Sequence, residues 1–195
     1  MNKLRLLSFG FFLVVLTVFS SNVEAQDRAL MSKAERITND KFTFFAETPG
    51  GARVYAVNKP NDKVLNAVDN GLKNLFAVAR KNRYNRNLNY SSYTIFIAKP
   101  DRTKDSSGQY SPGIAINAAQ YAGSVYDKGG YIYAAGMVLG YNPAAFVIAE
   151  HTGNLQGISD IVRFEGEHIV LYHNNRRLYN QTADHSQGGG HPILQ

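Results

Sequence analysis

The sequence predicts an α+β fold, a single domain with a mostly antiparallel or mixed sheet and one long helix. Several short runs of β-branched and aromatic residues, separated by Gly, Pro and Asn, are typical of strands. One segment, at about 61–81, instead spaces its apolar residues as a helix does. A hydrophobic content of 44% with 18% charged residues is that of a globular chain. No repeat with a period of roughly 20–50 residues is visible, which argues against a solenoid or a propeller.

The first half of the chain predicts two strands and the long helix. Residues 26–40 carry a weak amphipathic pattern, which fits a short helix or a loose arm. Residues 42–46 and 53–57 predict strands on either side of a Pro-Gly-Gly turn. The helix at about 61–81 follows, with its apolar residues on one face and with Asn61 placed to cap its first turn.

The second half predicts further strands and a second helix. Residues 93–98 form the strongest strand pattern, and residues 113–117 and 131–135 predict two more strands. Residues 143–150 fit either a strand or a helical turn. A late helix at about 158–175 is favoured, because its apolar residues follow one helical face better than they follow an alternation.

A strand remains the alternative for residues 161–173, since residues 169–172 are all compatible with a sheet. The choice decides the chemistry of this segment. On a helix, Glu165 and His168 share a face and can approach one ion, whereas on a strand they point to opposite faces.

The first 25 residues have the pattern of a signal peptide. Lys3 and Arg5 precede an apolar run over residues 6–19, and small residues follow at Val23 and Ala25. The run of about 14 residues is shorter than the roughly 20 that a membrane-spanning helix needs. We therefore expect residues 1–25 to be removed and residues 26–195 to form one secreted or periplasmic domain of a bacterial envelope. It would not be transmembrane after removal of the signal. An uncleaved membrane anchor is the alternative.

The amino-acid composition excludes several kinds of functional site in this domain. The chain has no Cys, which excludes a disulfide scaffold, a Cys-ligated zinc finger, an iron–sulfur site and a thiol nucleophile. Its formal net charge is +6, which suits either solubility or contact with an anionic polymer. Export makes a cell-envelope polymer or a peptide the expected partner, and not nucleic acid.

A basic loop and a concentration of tyrosines could supply such a contact. Four cations lie close together at Arg80, Lys81, Arg83 and Arg86, and nine of the 12 Tyr lie between residues 84 and 141. Tyrosines on a sheet can stack against sugars or extended peptides while their hydroxyls form hydrogen bonds. A solvated helix end and ordinary strand composition explain the same residues without any binding role.

The histidines give the most specific indication of chemistry. Four of the five fall within residues 168–191, and the last two, His185 and His191, belong to a Gly/His-rich C-terminal loop at 182–195. Zinc accepts neutral imidazole and carboxylate, and an open catalytic site has three protein ligands. We therefore predict His168, His185 and His191 as zinc ligands, with Glu165 as a further ligand or general base. Tyr172 would donate a hydrogen bond to developing negative charge.

The order of the predicted elements is loosely similar to that of the zincin metallopeptidases. A long helix and sheet strands come first, then a late helix carrying Glu and His, then a His-bearing loop. The chain departs from that family because it contains no His-Glu-x-x-His, and His173 follows His168 at a spacing of five residues. No residue role is carried over from the family.

Two functions of different classes fit these patterns. The first is a small exported hydrolase, peptidase-like, that uses a His/carboxylate site with zinc. The second is a non-catalytic cell-envelope protein that recognises a wall polymer or a protein partner through its Tyr-rich and basic surface. A bound metal and the loss of it on His substitution would favour the first. Salt-sensitive binding that depends on the basic loop would favour the second.

Overall fold

The computed structural model describes residues 27–99, 114–117, 131–150, 153–185 and 188–194. In chain order its elements are α1 (27–38), β1 (Phe44–Glu47), β2 (Arg53–Ala56), α2 (Asp62–Lys81), β3 (Tyr93–Ala98), β4 (Ile114–Asn117), β5 (Tyr131–Ala134), β6 (Gly136–Tyr141), β7 (Ala144–Ala149), α3 (Leu155–Asn174) and α4 (Arg176–Thr182). The predicted signal peptide, residues 1–25, lies outside the described residues. None of the helices described is long and apolar enough to cross a membrane.

Five strands form a mixed sheet in the order β1-β2-β3-β7-β6. The central pairs β2/β3 and β3/β7 are parallel, while the outer pairs β1/β2 and β7/β6 are antiparallel. Helix α2 makes the crossover between β2 and β3 that a parallel pair requires. Strands β4 and β5 pair with each other in a separate antiparallel sheet. The predicted α+β fold with a mixed sheet is confirmed.

Two hydrophobic clusters lie on opposite faces of the sheet. Helices α2 and α3 pack together on one face, over inward residues such as Ile95 and Phe146. Helix α1 covers the other face, where Leu30 and Ala34 pack with Phe96. Because β3 and β7 are buried on both faces, they appear in the sequence as continuous apolar runs.

Helix α2 forms where the helical spacing predicts it. Its apolar stripe is buried, and the side chain of Asn61 accepts a hydrogen bond from the backbone N–H of Val64 at 3.1 Å. Asp62 in the first turn and Arg80 in the last turn both suit the helix dipole. The helix predicted at about 61–81 is confirmed.

The late segment is also a helix, α3, and it starts three residues before the predicted position of about 158. Asn154 caps it by accepting a hydrogen bond from the backbone N–H of Gly157 at 2.8 Å. Residues 169–171 are compatible with a strand, but they are buried by α3 packing on α2 and the sheet, so tertiary contact decides for the helix. The ambiguous residues 143–150 contain strand β7. Strand β6 was not predicted, because Gly136 and Gly140 interrupt its pattern.

Candidate metal centre

Three histidines converge at the C-terminal end of the chain. His168, His185 and His191 each offer one ring nitrogen, and no two of these nitrogens are more than 4.8 Å apart. The ring centroids form a nearly equilateral triangle, with sides of 5.1, 5.0 and 4.9 Å. His168 is buried, while His185 and His191 are half-buried, so the cluster lies at the edge of the molecule's interior.

The chain reversal after α3 brings the three rings together. His168 lies on α3, which ends where the backbone N–H of Asn175 donates to the Leu171 carbonyl at 2.8 Å. The side chain of Asn175 then caps α4 by accepting from the backbone N–H of Leu178 at 3.1 Å. From Asn175 the chain runs back along α3, so that Tyr179 of α4 contacts Tyr172 and the following residues His185 and His191 lie beside His168.

The three consecutive glycines make this return tight. Gly188 has φ of +80°, a left-handed conformation that favours glycine. The backbone N–H of Gly189 donates to the Asp184 carbonyl and that of Gly190 to the Thr182 carbonyl, both at 3.0 Å. A Cβ added at Gly189 would collide with both carbonyl oxygens. Glycine is therefore required there so that the loop can lie against the end of α4.

The C-terminal segment, residues 188–194, is fixed onto α3. The His191 ring stacks on Phe164 with centroids 4.8 Å apart and planes 25° apart. The backbone N–H of Ile193 donates to Oε1 of Glu167 at 2.9 Å. Ile193 and Leu194 pack against the main hydrophobic cluster. These contacts hold His191 within reach of the other two rings.

Glu167 is a functional candidate that the sequence analysis missed. Its side chain is fully buried, and Oε2 lies 3.2 Å from Nδ1 of His191. The available signal was its position next to His168 on the same helix, together with Phe164 one turn earlier. What the sequence lacked was the course of the C-terminal segment, which alone shows that a carboxylate at 167 meets His191.

Burial keeps two of the imidazoles neutral. Burial, together with the nearby His191 and His185, lowers the pKa of His168 to about 3, because burial and neighbouring imidazoles both disfavour a positive charge on the ring. Burial also lowers the pKa of His185, with His191 acting in the same direction. A neutral imidazole is the form that binds a metal ion, so the pocket holds these two rings in the state required of a ligand.

Glu165, the predicted carboxylate of the site, packs elsewhere. A Cβ added at Gly136 in β6 would lie 2.7 Å from its Cγ, which places the Glu165 side chain against the sheet. Burial raises the pKa of its carboxyl to about 8. Among the described contacts, none joins Glu165 to the three imidazoles. Its role as ligand or general base stays a prediction.

Tyr172, the predicted hydrogen-bond donor, lies in an aromatic stack. Its ring stacks on Tyr141 with centroids 4.2 Å apart. The guanidinium of Arg176, which belongs to α4, lies 3.3 Å from the centre of the Tyr172 ring. The described contacts of Tyr172 do not include the three imidazoles. His173, outside the predicted ligand set, places Nε2 2.7 Å from the Tyr141 carbonyl oxygen and so ties α3 to β6.

The three imidazoles fit a metal ion in number, type and arrangement. They come from two separate parts of the chain and are backed by a buried carboxylate, which is the pattern of metal-binding histidines. Zinc binds imidazole nitrogen at about 2.0–2.1 Å, so ligand nitrogens around a tetrahedral ion are roughly 3.4 Å apart. Shifts of about an ångström would close the cluster to that spacing. This group can therefore hold a metal ion.

Comparison with known proteins adds no further constraint on this site. No protein-family model matches the chain, no curated protein is significantly similar to it, and no solved structure resembles its fold significantly.

Proposed function

We propose that the chain is a small exported hydrolase, peptidase-like in its chemistry, that uses zinc held by His168, His185 and His191. The observation that carries this proposal is that three ligand nitrogens, one from α3 and two from the chain after α4, lie within 4.8 Å of one another. A three-histidine site leaves a coordination position for water or substrate, which is the arrangement of catalytic rather than structural zinc.

Residues at the cluster, and two further residues of α3, would have different roles in this reaction. A bound zinc ion would supply Lewis-acid chemistry for hydrolysis. The buried environment keeps His168 and His185 neutral, and Phe164 supports the His191 ring by stacking on it. Glu165, with its raised pKa, and Tyr172 are proposed to assist proton transfer and to stabilise negative charge on the substrate.

Metal content of the protein tests the site itself. Protein purified without a chelator should retain about one zinc ion per chain, and His168→Ala and His185→Ala should each abolish this retention. His173→Gln is the matched control, because it removes an imidazole from the same helix that contacts Tyr141 rather than the cluster. Metal-free wild-type protein, or equal retention by the cluster variants, would overturn the zinc proposal.

Hydrolysis is tested separately with a quenched fluorescent peptide mixture. Cleavage should disappear when zinc is chelated and return when zinc is added back. Glu165→Gln and Tyr172→Phe should lower kcat while zinc content stays near one per chain, if these residues assist the reaction as proposed. Cleavage that persists in His168→Ala would rule out a role for this site in the reaction.

A second candidate function is supported by a basic surface. The side chain of Asn174 accepts from the backbone N–H groups of Asn85 and Arg86 and donates to the Arg86 carbonyl, all within 3.0 Å. This fixes the loop after α2 against the start of α4. Six exposed cations lie on the two joined segments, with no acidic residue between them: Arg80, Lys81, Arg83, Arg86, Arg176 and Arg177. The surface fits an anionic wall polymer.

Cell-wall pull-down tests this second candidate. Binding should weaken with added salt and in Arg83→Ala/Arg86→Ala, because contacts between exposed charges are screened by ions. Lys63→Ala/Lys73→Ala removes the same charge from exposed positions of α2 outside the loop and is the matched control. Binding that ignores both salt and the arginine substitutions would argue against this function.

A further inference from the structure

We propose that Glu167 is a positioning residue of the metal site, which holds both the ring of His191 and the chain segment that carries it. This inference rests on the proposed metal site and adds a residue to it. Glu167 is fully buried on α3, next in sequence to His168.

The two carboxylate oxygens of Glu167 contact different parts of the C-terminal segment. Oε1 accepts from the backbone N–H of Ile193 at 2.9 Å, which fixes the backbone two residues beyond His191. Oε2 lies 3.2 Å from Nδ1 of His191. One side chain thereby restrains the ligand and its backbone together.

The contact between Glu167 and His191 leaves a hydrogen bond to be completed. Nδ1 of His191 and Oε2 of Glu167 are buried 3.2 Å apart, and neither atom has a hydrogen-bond partner among the described residues. A small rotation of the ring would direct Nδ1 at Oε2 and leave the opposite nitrogen, Nε2, to bind an ion. The stack on Phe164 holds the plane of the ring. A carboxylate that accepts the N–H of a metal-binding histidine fixes its tautomer and makes the other nitrogen a better ligand.

The burial of Glu167 is a reason to connect this carboxylate with a metal ion. A fully buried carboxylate is costly unless charged or hydrogen-bonding partners compensate it. Among the described residues, Oε1 of Glu167 accepts from one backbone N–H, whereas Oε2 is buried without a hydrogen bond, 3.2 Å from the half-buried His191. A cation bound by the three rings would supply the missing positive charge through His191. Glu167 therefore weakens the metal-free fold and strengthens the metal-bound one.

Glu167→Gln in the full chain tests this assignment. Glutamine has nearly the same shape and can still accept from the Ile193 N–H, but it lacks the negative charge. We expect cobalt(II), used as an absorbing substitute for zinc, to bind roughly 10–100-fold more weakly. The metal-free variant should resist urea at least as well as wild type. Asp160→Asn, which removes a carboxylate from the surface of α3, should change neither quantity.

The outcomes separate this inference from the proposed function. Equal cobalt affinity of Glu167→Gln and wild type would overturn the role of Glu167 and leave the metal site standing. A metal-free Glu167→Gln protein less stable than wild type would show a purely structural role and also overturn it. Wild type that binds no cobalt would overturn both proposals. Cobalt binding without hydrolysis, but weaker in Glu167→Gln, would overturn the hydrolase and still support the positioning role.

Discussion

Two glutamates on α3, Glu165 and Glu167, illustrate how position sets the behaviour of one residue type. They are two residues apart, so they project about 200° from each other around the helix. Glu165 packs against Gly136 of β6, and burial raises its pKa to about 8. Glu167 faces the C-terminal segment and contacts His191. Burial thus favours the protonated acid at position 165, whereas the same kind of side chain at position 167 lies next to an imidazole.

Substitution of Glu165 should therefore change the pH dependence of stability. The folded chain keeps a proton on Glu165 up to about pH 8, whereas the unfolded chain releases it near the ordinary value of 4.5. The free energy of unfolding that Glu165 contributes should fall as pH rises from about 4.5 to 8. Glu165→Gln has no such proton, so the stability of wild type relative to the variant should fall over this range.

Urea unfolding of both proteins at pH 5, 6.5 and 8 measures this difference. The other titratable groups are present in both proteins, so their contributions to the free energy of unfolding largely cancel in the comparison. A difference that does not change with pH would contradict the raised pKa of Glu165.

The consecutive glycines at 189 and 190 differ in the space that a side chain would have. A Cβ at Gly189 would meet the carbonyl oxygens of Thr182 and Asp184, the latter at 2.6 Å, whereas a Cβ at Gly190 has no atom within 4 Å. Gly189→Ala should lower the free energy of unfolding of the zinc-loaded protein by about 1–3 kcal/mol, since the segment must shift. Gly190→Ala is the control and should leave it unchanged. Urea unfolding of both variants in the presence of zinc measures this difference. Equal effects of the two substitutions on the free energy of unfolding would argue against the packed loop.

At the scale of elements, the pair α2 and α3 positions the site. The helices approach closely because glycine stands on each. A Cβ at Gly71 of α2 would lie 2.6 Å from the Ser159 carbonyl oxygen and 2.7 Å from Val162 Cβ. A Cβ at Gly166 of α3 would meet only the end of the Leu75 side chain. Backbone cannot yield as a flexible leucine can, so the two glycines are not equivalent.

We expect Gly71→Ala to be the more damaging of the two substitutions. Overpacking against fixed atoms costs about 1–3 kcal/mol, and the better helix propensity of Ala returns only about 1 kcal/mol. At Gly166 the leucine can rotate, so the net loss should be smaller. Thermal or urea unfolding measures both. A Gly166→Ala protein less stable than Gly71→Ala would show that Leu75 has no room to move.

The elements also show why prediction succeeded at some places and not at others. Helix α2 has an uninterrupted apolar stripe of helical period, so its ends were predicted to within about a residue. Residues 169–171 of α3 are Ile, Val and Leu, which suit both a helix and a strand, and only packing on α2 and the sheet separates the two. Strand β6 escaped prediction because two of its six residues are glycine, which carries no side-chain pattern.

At the scale of the whole molecule, a metal ion would connect the last residues of the chain to its interior. His168 belongs to α3 within the core, whereas His191 belongs to the C-terminal segment. An ion bound by both would oppose the detachment of that segment. Export, which the first 25 residues predict, remains part of the proposed function and is tested by locating the protein in cell fractions.

Zinc should accordingly stabilise the whole fold. A ligand that binds only the folded state at about 100 times its Kd raises the free energy of unfolding by about 2.7 kcal/mol. Wild type should show this gain in urea unfolding with zinc, and His191→Ala should lose most of it. A gain of equal size in His191→Ala would place the zinc outside the described cluster.

The sequence by itself determined the fold class, the long helix and the set of imidazoles, because hydrophobic period and residue type are local properties. The tertiary structure decided which side chains meet. The reversal at Asn175 and the glycine turn bring His185 and His191 to His168, and they place a carboxylate at 167 beside them. Such contacts depend on the path of the chain between distant residues, which no local pattern encodes.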